Sequence, residues 1–164
     1  MNFDQPFNLV GGKWNLAPLI VSRLPPHHSY CEIFGGSLAV LLHKQLSPVE
    51  MVNDIDGNLV NFFLQLRNNP EALLYKVENT PYAREVYEDW LHRWRRDKWR
   101  PEDPLERAAV WFFLQQTSMS GTFGSGWSYA NTKNQAQGFY RKLNSFQAIA
   151  SRLRNVQIEN LDFE

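Results

Sequence analysis

The chain has 164 residues, 43% of them hydrophobic and 14% aromatic, which is enough for one packed domain or one domain with an insertion. Its 17 basic and 17 acidic residues cancel, so the overall charge does not indicate a nucleic-acid-binding protein. No run of about 18 apolar residues occurs, and Lys13 and Arg23 interrupt the apolar N-terminal region, so we expect neither a membrane span nor a signal peptide.

The first half of the chain alternates predicted helices and strands. Apolar residues recur at helical spacing over 14–24, which predicts a short helix that ends before Pro25 and has Pro18 in its first turn. The segments that follow predict a strand in "SYCEIF" (29–34), a helix in "SLAVLLHKQL" (37–46) with Ser37 as N-cap, a strand in "PVEMVND" (48–54) and a helix in "DGNLVNFFLQLRNN" (56–69). This order predicts the start of a parallel α/β sheet.

From Pro70 the pattern becomes mostly helical. Helices are predicted over 82–99, 104–117 and 138–153, and a loop rich in Gly, Ser, Thr and Asn joins the last two. "NVQIEN" (155–160) predicts a return to strand conformation. The chain is therefore predicted to form a parallel sheet of about three strands from residues 1–67 and 154–164, interrupted by a helical insertion over 68–153.

A turn of two glycines, Gly35 and Gly36, connects the first predicted strand to the next helix. Such a turn lets a ligand approach bare backbone amides. The neighbouring strand ends at Asp54, twenty residues after Phe34, where an acid can bind the hydroxyls of a ribose. The turn and Asp54 together favour a nucleoside-type ligand. A complete G-x-G-x-x-G is absent, however, so an ordinary tight turn between strand and helix remains an alternative.

Charge is unevenly distributed along the chain. Between Arg107 and Ile158 there is no Asp or Glu but there are six Lys and Arg residues, whereas the remainder has eleven basic and seventeen acidic residues. An excess of basic residues in one stretch is typical of a surface that binds a polyanion. A chance absence of acidic residues would give the same distribution.

Three segments in the same order resemble the opening of the Dam-type adenine-specific DNA methyltransferases: "GGKWNLAPLIVSRLP", "YCEIFGGSLAVLL" and "VNDIDGNLVNFF". Two later segments, "RAAVWFFLQQTSMSG" and "LRNVQIENLDFE", resemble that family's helix before its target-recognition loop and the strand before its catalytic motif. The resemblance covers nearly the whole chain. It implies a partial Rossmann-like methyltransferase fold, S-adenosylmethionine as cofactor and double-stranded DNA as partner.

The resemblance also implies a cofactor site, made by Gly11, Gly12, Lys13, Glu32, Phe34, Gly35, Gly36 and Asp54. In it, Phe34 and the glycine backbone contact the methionine and adenosine parts, and Asp54 accepts hydrogen bonds from the ribose. A solvated Lys13 and a helix-capping Asp54 are the alternatives. Ile33 replaces the proline that is usual in the family, and Leu38 stands where a further glycine is common.

The family's catalytic Asp-Pro-Pro-Tyr segment is absent from this sequence, and neither "LPPHHSY" nor "EDP" replaces it. In the family this segment holds an adenine that has been flipped from the duplex. We therefore expect the chain to supply cofactor-binding and DNA-recognition parts and to be inactive alone, as a truncated gene, a split subunit or a fragment. A non-catalytic DNA-binding relic or regulator and an unrelated nucleotide-binding protein remain as alternatives.

In this type of sheet the strand that carries the catalytic segment lies beside the first strand. Without it, "SYCEIF" is expected to form an open apolar edge. We expect a second chain or a homodimer to complete the sheet.

Two segments of the insertion are candidates for DNA contacts. "WLHRWRRDKWR" (90–100) mixes basic residues with tryptophans, and its helical spacing favours core positions for Trp90 and Trp94. The acid-free loop "SGTFGSGWSYANTKN" is expected to be flexible and is the better recognition candidate. The predicted DNA-binding residues are Arg95, Arg96, Ser120, Thr122 and Lys133.

Cys31 is the only cysteine, so no disulfide can form within the chain and a cytoplasmic location is expected. The four histidines have no ligand spacing with it, and no metal site is predicted.

Overall fold

The structure, a computed structural model, describes residues 3–162. The strands are β1 (Ser29–Glu32), β2 (Val49–Asn53) and β3 (Gln157–Glu159). The helices are α1 (Ala17–Arg23), α2 (Ala39–His43), α3 (Gly57–Asn68), α4 (Pro70–Glu78), α5 (Arg84–Arg95), α6 (Pro104–Thr117), α7 (Gln135–Leu143) and α8 (Phe146–Leu153). Within the described part of the chain, no helix has the length and apolar character needed to cross a bilayer.

The three strands form one parallel sheet in the order β1-β2-β3. Ser29 pairs with Val49, and Met51 pairs with Gln157, so β2 lies in the centre. The predicted α/β class with a partial parallel sheet is confirmed. The carboxyl ends of all three strands meet at one edge of the sheet, where ligands bind in parallel α/β proteins.

Several helix boundaries differ from the prediction. Ser37 does not cap α2, because Leu38 follows it in the left-handed conformation (φ 56°) and the helix begins only at Ala39. The helix predicted over 138–153 is two helices, since the chain turns at Asn144 and Ser145 between α7 and α8. Asn134 caps α7 by accepting a hydrogen bond from the backbone of Gln137, so this helix starts earlier than predicted.

Helix α4 was not predicted. It begins directly at Pro70, at a position that proline tolerates because the first helical N–H groups have no partner within the helix. Its buried residues Leu73 and Val77 are four apart, which places them on one face. The sequence pattern predicts no helix between residues 70 and 81, whereas Pro70 is the first residue of a packed helix.

One hydrophobic core connects the sheet to the helical half. Helix α6 is buried over most of its length and packs against α3, with the ring of Phe112 stacked on that of Phe62 at 5.3 Å. Trp94 is buried in the same core, as its spacing predicted, and the half-buried Trp90 meets Phe113 edge to face at 5.2 Å. The division of the chain into a sheet part and an insertion stays a prediction.

A buried carboxylate joins the sheet to α2 and α8. Glu50 on β2 binds Lys44 at 2.6 Å and accepts two hydrogen bonds from the guanidinium of Arg152. Arg152 also donates to the backbone oxygen of Leu41. Burial raises the pKa of Glu50, but the hydrogen bonds from Arg152 and Lys44 more than offset this effect, so its pKa lies below the ordinary value.

We predict that Glu50→Gln lowers the free energy of unfolding by about 3–5 kcal/mol at pH 7, because it leaves two buried cations without a counter-charge. Urea denaturation measures the loss. Glu78→Gln, an exposed substitution at the end of α4, is the control and should change stability by less than about 0.5 kcal/mol. A loss no greater than that of the control would contradict a structural role for the buried cluster.

The same carboxylate sets an acid dependence of stability. Since the folded pKa of Glu50 is lowered, its contribution is complete above the unfolded pKa of about 4.3 and is lost as the pH falls through the folded pKa. Below about pH 5, the midpoint temperature of Glu50→Gln should therefore fall less steeply with pH than that of the unchanged protein.

Candidate functional site

The double-glycine turn after β1 is held against the end of β2. The backbone N–H of Gly35 donates to the backbone oxygen of Asn53 at 2.8 Å. A Cβ atom at Gly35 would lie 2.9 Å from Leu38 and 3.2 Å from the Asn53 oxygen, so a larger residue does not fit. Gly36 has φ 50°, which glycine adopts without strain.

Asp54 lies at the same edge and binds this turn. Its Oδ2 accepts the backbone N–H of Gly36 at 2.9 Å, and its Oδ1 accepts that of Asp56 at 3.0 Å. The cap of α3 is Asp56, which accepts from Asn58, so the alternative of a capping Asp54 is excluded. An ionised carboxylate has about four acceptor positions, and Asp54 uses two of them on the protein backbone.

The N-terminal glycine segment borders a cleft beside this turn. Gly12 donates its backbone N–H to the oxygen of Leu9 at 2.9 Å, and a Cβ atom on Gly12 would come within 2.8 Å of that oxygen. The cleft is lined by Leu9, Gly11, Gly12, Lys13, Glu32, Phe34, Gly35, Gly36, Ser37, Ala39 and Val40. Seven of the eight predicted cofactor residues thus line one cleft, and Asp54 is bonded to its edge.

The enclosed part of the cleft is small. Its volume is about 60 Å³, well below the roughly 300 Å³ at the lower end of small-molecule sites, and Phe34 at its rim is 65% exposed. A nucleoside-sized ligand would therefore lie largely along the surface of the cleft, with only part of it enclosed.

Glu32 forms an acidic wall of the cleft. Its Oε1 accepts hydrogen bonds from the hydroxyl of Tyr30 at 2.8 Å and from the backbone N–H of Leu41. Burial raises the pKa of Glu32 above its ordinary value, although both hydrogen bonds and the charges of Lys13 and Lys44 act in the opposite direction. A buried acid of this kind favours a cationic group nearby, because that group would stabilise the ionised form.

Two asparagines that the sequence did not single out tie the strand ends together. The amide of Asn53 donates to the backbone oxygens of Ile33 and Leu161, and its Oδ1 accepts from the N–H of Leu161. Asn160 donates to the backbone oxygens of Asp54 and Ile55. Only their positions at the ends of predicted strands could have indicated this role. Leu9, Ser37, Ala39 and Val40, which line the cleft, gave none beyond their closeness to glycines.

The basic residues of the segment 90–100 divide into two groups. Arg93 and Arg100 stack on Trp99 and Trp94, each at 3.7 Å from the ring centre, and therefore contribute to packing. Arg95 donates to the backbone oxygen of Phe123 in the loop after α6, whereas Arg96 is exposed at the end of α5.

The loop after α6 is more ordered than the sequence predicted. The buried hydroxyl of Ser118 donates to the oxygen of Leu114 and accepts the N–H of Gly124, and the hydroxyl of Tyr82 donates to Ser128. These bonds fix the backbone from 118 to 128. Within the loop, Ser120 and Thr122 are exposed in the fixed part and Lys133 is exposed beyond it.

No group of three or more His, Cys, Asp or Glu side chains is placed to bind a metal among residues 3–162. Cys31 is exposed on β1 as a free thiol.

Comparison with known proteins decides the family. The sequence model of the D12 class N6 adenine-specific DNA methyltransferases matches residues 10–164. The chain belongs to this family. The Type II methyltransferase M1.LlaDCHI of Lactococcus lactis subsp. cremoris is 26% identical over 170 residues, which are 94% of this chain and 57% of that protein. The chain thus spans somewhat more than half the length of this relative.

Membership of the D12 class confirms the resemblance found in the sequence. It does not test individual positions, so the cofactor and DNA residues stay predictions. The backbone conformation shows why a glycine would suit position 38. Leu38 has a left-handed φ of 56°, which a glycine adopts without strain. Leucine is retained there with its side chain 1% exposed in the core.

We predict that Leu38→Gly unfolds at a higher urea concentration than Leu38→Ala, by about 1 kcal/mol, because only glycine relieves the left-handed strain. Both variants lose the burial of leucine, at a cost of about 2–5 kcal/mol for the alanine. The control is Leu41, which is buried within α2 with helical geometry. There, glycine should be less stable than alanine by about 1 kcal/mol. If the alanine variant were the more stable one at both positions, the left-handed backbone of Leu38 would not be strained.

Proposed function

We propose that this chain provides the S-adenosylmethionine-binding and DNA-recognition part of a DNA adenine methyltransferase. The observation that carries the proposal is the hydrogen bond between Asp54 and the N–H of Gly36, at the carboxyl edge of a parallel sheet. It unites the two motifs that the family uses for its cofactor. Family membership supports the reaction class.

The residues present fit such a cofactor. Gly35 lines the cleft and lets the turn pack closely against Leu38 and Asn53, and Asp54 keeps acceptor capacity for a ribose hydroxyl. Glu32 faces the cleft with a buried carboxylate that suits the positively charged methionine end. When bound, S-adenosylmethionine supplies the electrophilic methyl group. The chain's own residues bind and orient it beside Lys13.

The base-holding wall of the site is not among these 164 residues, since no Asp-Pro-Pro-Tyr segment occurs in them. Within the described residues, β1 pairs with β2 alone, and Cys31 and Ile33 are exposed at this edge. We propose that a polypeptide carrying the catalytic segment adds a strand to β1, because an unpaired parallel edge offers backbone groups to such a partner.

We assign the DNA-facing surface to the helical half of the molecule. The exposed residues Arg96 and Lys133 can neutralise phosphates, and Ser120 and Thr122 can donate hydrogen bonds to the backbone or to base edges. Arg95 acts differently, because its contact with Phe123 positions the loop.

The cofactor assignment predicts the effect of two neighbouring aspartates. Asp54→Ala should weaken S-adenosylmethionine binding by about 1–3 kcal/mol, because it removes both the ribose acceptor and the bond to Gly36. Asp56→Ala removes a helix cap, so it should cost about 1 kcal/mol of stability and leave binding unchanged. Isothermal calorimetry at equal folded fraction distinguishes the two. Equal losses of affinity, or no binding by the unchanged chain, would contradict the assignment.

If a second polypeptide supplies the catalytic segment, mixing it with this chain should restore methyl transfer. Alone, the chain should transfer no methyl group to adenine-containing duplex DNA. With a polypeptide that carries the catalytic segment of a D12-class enzyme, transfer of tritiated methyl from S-adenosylmethionine should appear. Turnover by the lone chain would refute the division of labour. Salt-dependent duplex binding without cofactor binding would favour a non-catalytic DNA-binding protein instead.

A further inference from the structure

The two carboxylate oxygens of Glu32 have different surroundings. Oε1 accepts the hydroxyl of Tyr30 and the backbone N–H of Leu41, whereas no hydrogen bond reaches Oε2 from residues 3–162. Every fully buried side-chain oxygen of the non-exposed residues in this part of the chain has a partner, so Oε2 keeps some access to solvent. Because Glu32 lines the cleft, Oε2 is the oxygen left available to a ligand there.

Packing holds the ring of Tyr30 in place. The ring is half-buried and packs against both the main hydrophobic core and a smaller cluster. This smaller cluster consists of Ala17, Ala39 and Val40. The ammonium group of Lys44 lies 4.5 Å from the centre of the ring, and Glu50 anchors that ammonium group. The buried charge cluster therefore also supports the residue that binds Glu32.

The hydroxyl of Tyr30 is a constant donor. Burial raises its pKa well above the ordinary value, and the charge of Glu32 and the hydrogen bond to it act in the same direction. Glu50 and Cys31 raise this pKa as well. The hydroxyl therefore stays protonated at every pH near neutrality and donates to Glu32.

The ionisation of Glu32 depends on this donor. Burial raises the pKa of Glu32, and the hydrogen bond from Tyr30 is the largest effect that opposes burial. The N–H of Leu41 and the charges of Lys13 and Lys44 also oppose it. Loss of the Tyr30 hydroxyl would therefore favour the protonated, neutral form of Glu32.

We infer that Tyr30 is a positioning residue of the cofactor cleft: its hydroxyl fixes Oε1 of Glu32, so that Oε2 remains available to the cationic methionine end of S-adenosylmethionine. The inference rests on the proposed function, which brings that cofactor to the cleft. Tyr30 is not among the residues that line the cleft, so it acts on the cofactor through Glu32.

The substitution Tyr30→Phe keeps the ring and removes the hydroxyl. Affinity for S-adenosylmethionine, measured by calorimetry, should fall as the pH drops through the pKa of Glu32, because a neutral carboxyl no longer attracts the cation. In Tyr30→Phe this fall should occur about 1–2 pH units higher, since the ionised form has lost a hydrogen bond. The carboxyl carbon resonance of Glu32, followed by NMR without cofactor, should show its titration midpoint moved in the same direction.

Two variants serve as controls. Tyr140→Phe also removes a hydroxyl that donates to a backbone oxygen, that of Thr80, and it lies on α7 outside the lining of the cleft. It should move neither the affinity profile nor the midpoint of Glu32. In a chain that carries Glu32→Gln, Tyr30→Phe should leave the profile unshifted, because no carboxylate remains there to titrate. Thermal melts compare the folded fractions of all variants.

Methylthioadenosine is the matched ligand, because it keeps the adenosine and lacks the charged methionine end. Its affinity reports any titration of Asp54, which is proposed to bind the ribose of both ligands. The pH profile for methylthioadenosine should be the same in Tyr30→Phe and in the unchanged protein.

An unshifted S-adenosylmethionine profile, an unshifted midpoint of Glu32, or an equal shift for methylthioadenosine would overturn the inference. A lower affinity at every pH with an unmoved profile would indicate a role in packing alone and overturn it too. If the unchanged chain bound neither ligand, the proposed function would fail. The midpoint of Glu32 would then still show whether Tyr30 controls this carboxylate.

Discussion

The buried carboxylate of Glu50 is the interaction on which the arrangement of this molecule depends. It draws together the central strand, Lys44 just after α2 and Arg152 on α8, which lies 102 residues farther along the chain. A buried ion pair adds little net stability over an apolar cluster, but it permits few alternative arrangements because an unpaired partner is costly. The first strand-helix-strand unit and α8 are therefore fixed relative to each other.

The N-terminal segment lies between the cleft beside the glycine turn and the loop after α6. The sheet edge supplies Asp54 and the glycine turn, while α6 and its loop supply Gln115 and Ser120. The aromatic core between α3 and α6 holds these two halves against each other, with Phe62 and Phe112 in contact. A ligand in the cleft would therefore contact an N-terminal segment whose backbone is held on its other side by Gln115 and Gly121.

Much of this architecture could be predicted from the sequence, because it follows from local patterns. Short apolar runs located the strands, helical apolar spacing located most helices, and the parallel order placed Asp54 beside the turn at Gly36. The start of α2 could not be predicted, since Leu38 adopts a conformation that its residue type disfavours and that only core packing stabilises. The fixed conformation of the loop after α6 could not be predicted either. It depends on a hydrogen bond from Tyr82, which is 46 residues from its partner Ser128, and on the buried hydroxyl of Ser118.

The left-handed residue at the start of α2 also affects how a ligand is received. Because the side chain of Leu38 is buried in the core and its N–H donates to the oxygen of Gly35, an extended glycine turn would break this bond and disturb the packing of Leu38. To the extent that these contacts order the turn on folding, a ligand that binds it has less chain entropy to remove. A cofactor would meet a preorganised surface, and its affinity would depend on contacts made rather than on order imposed.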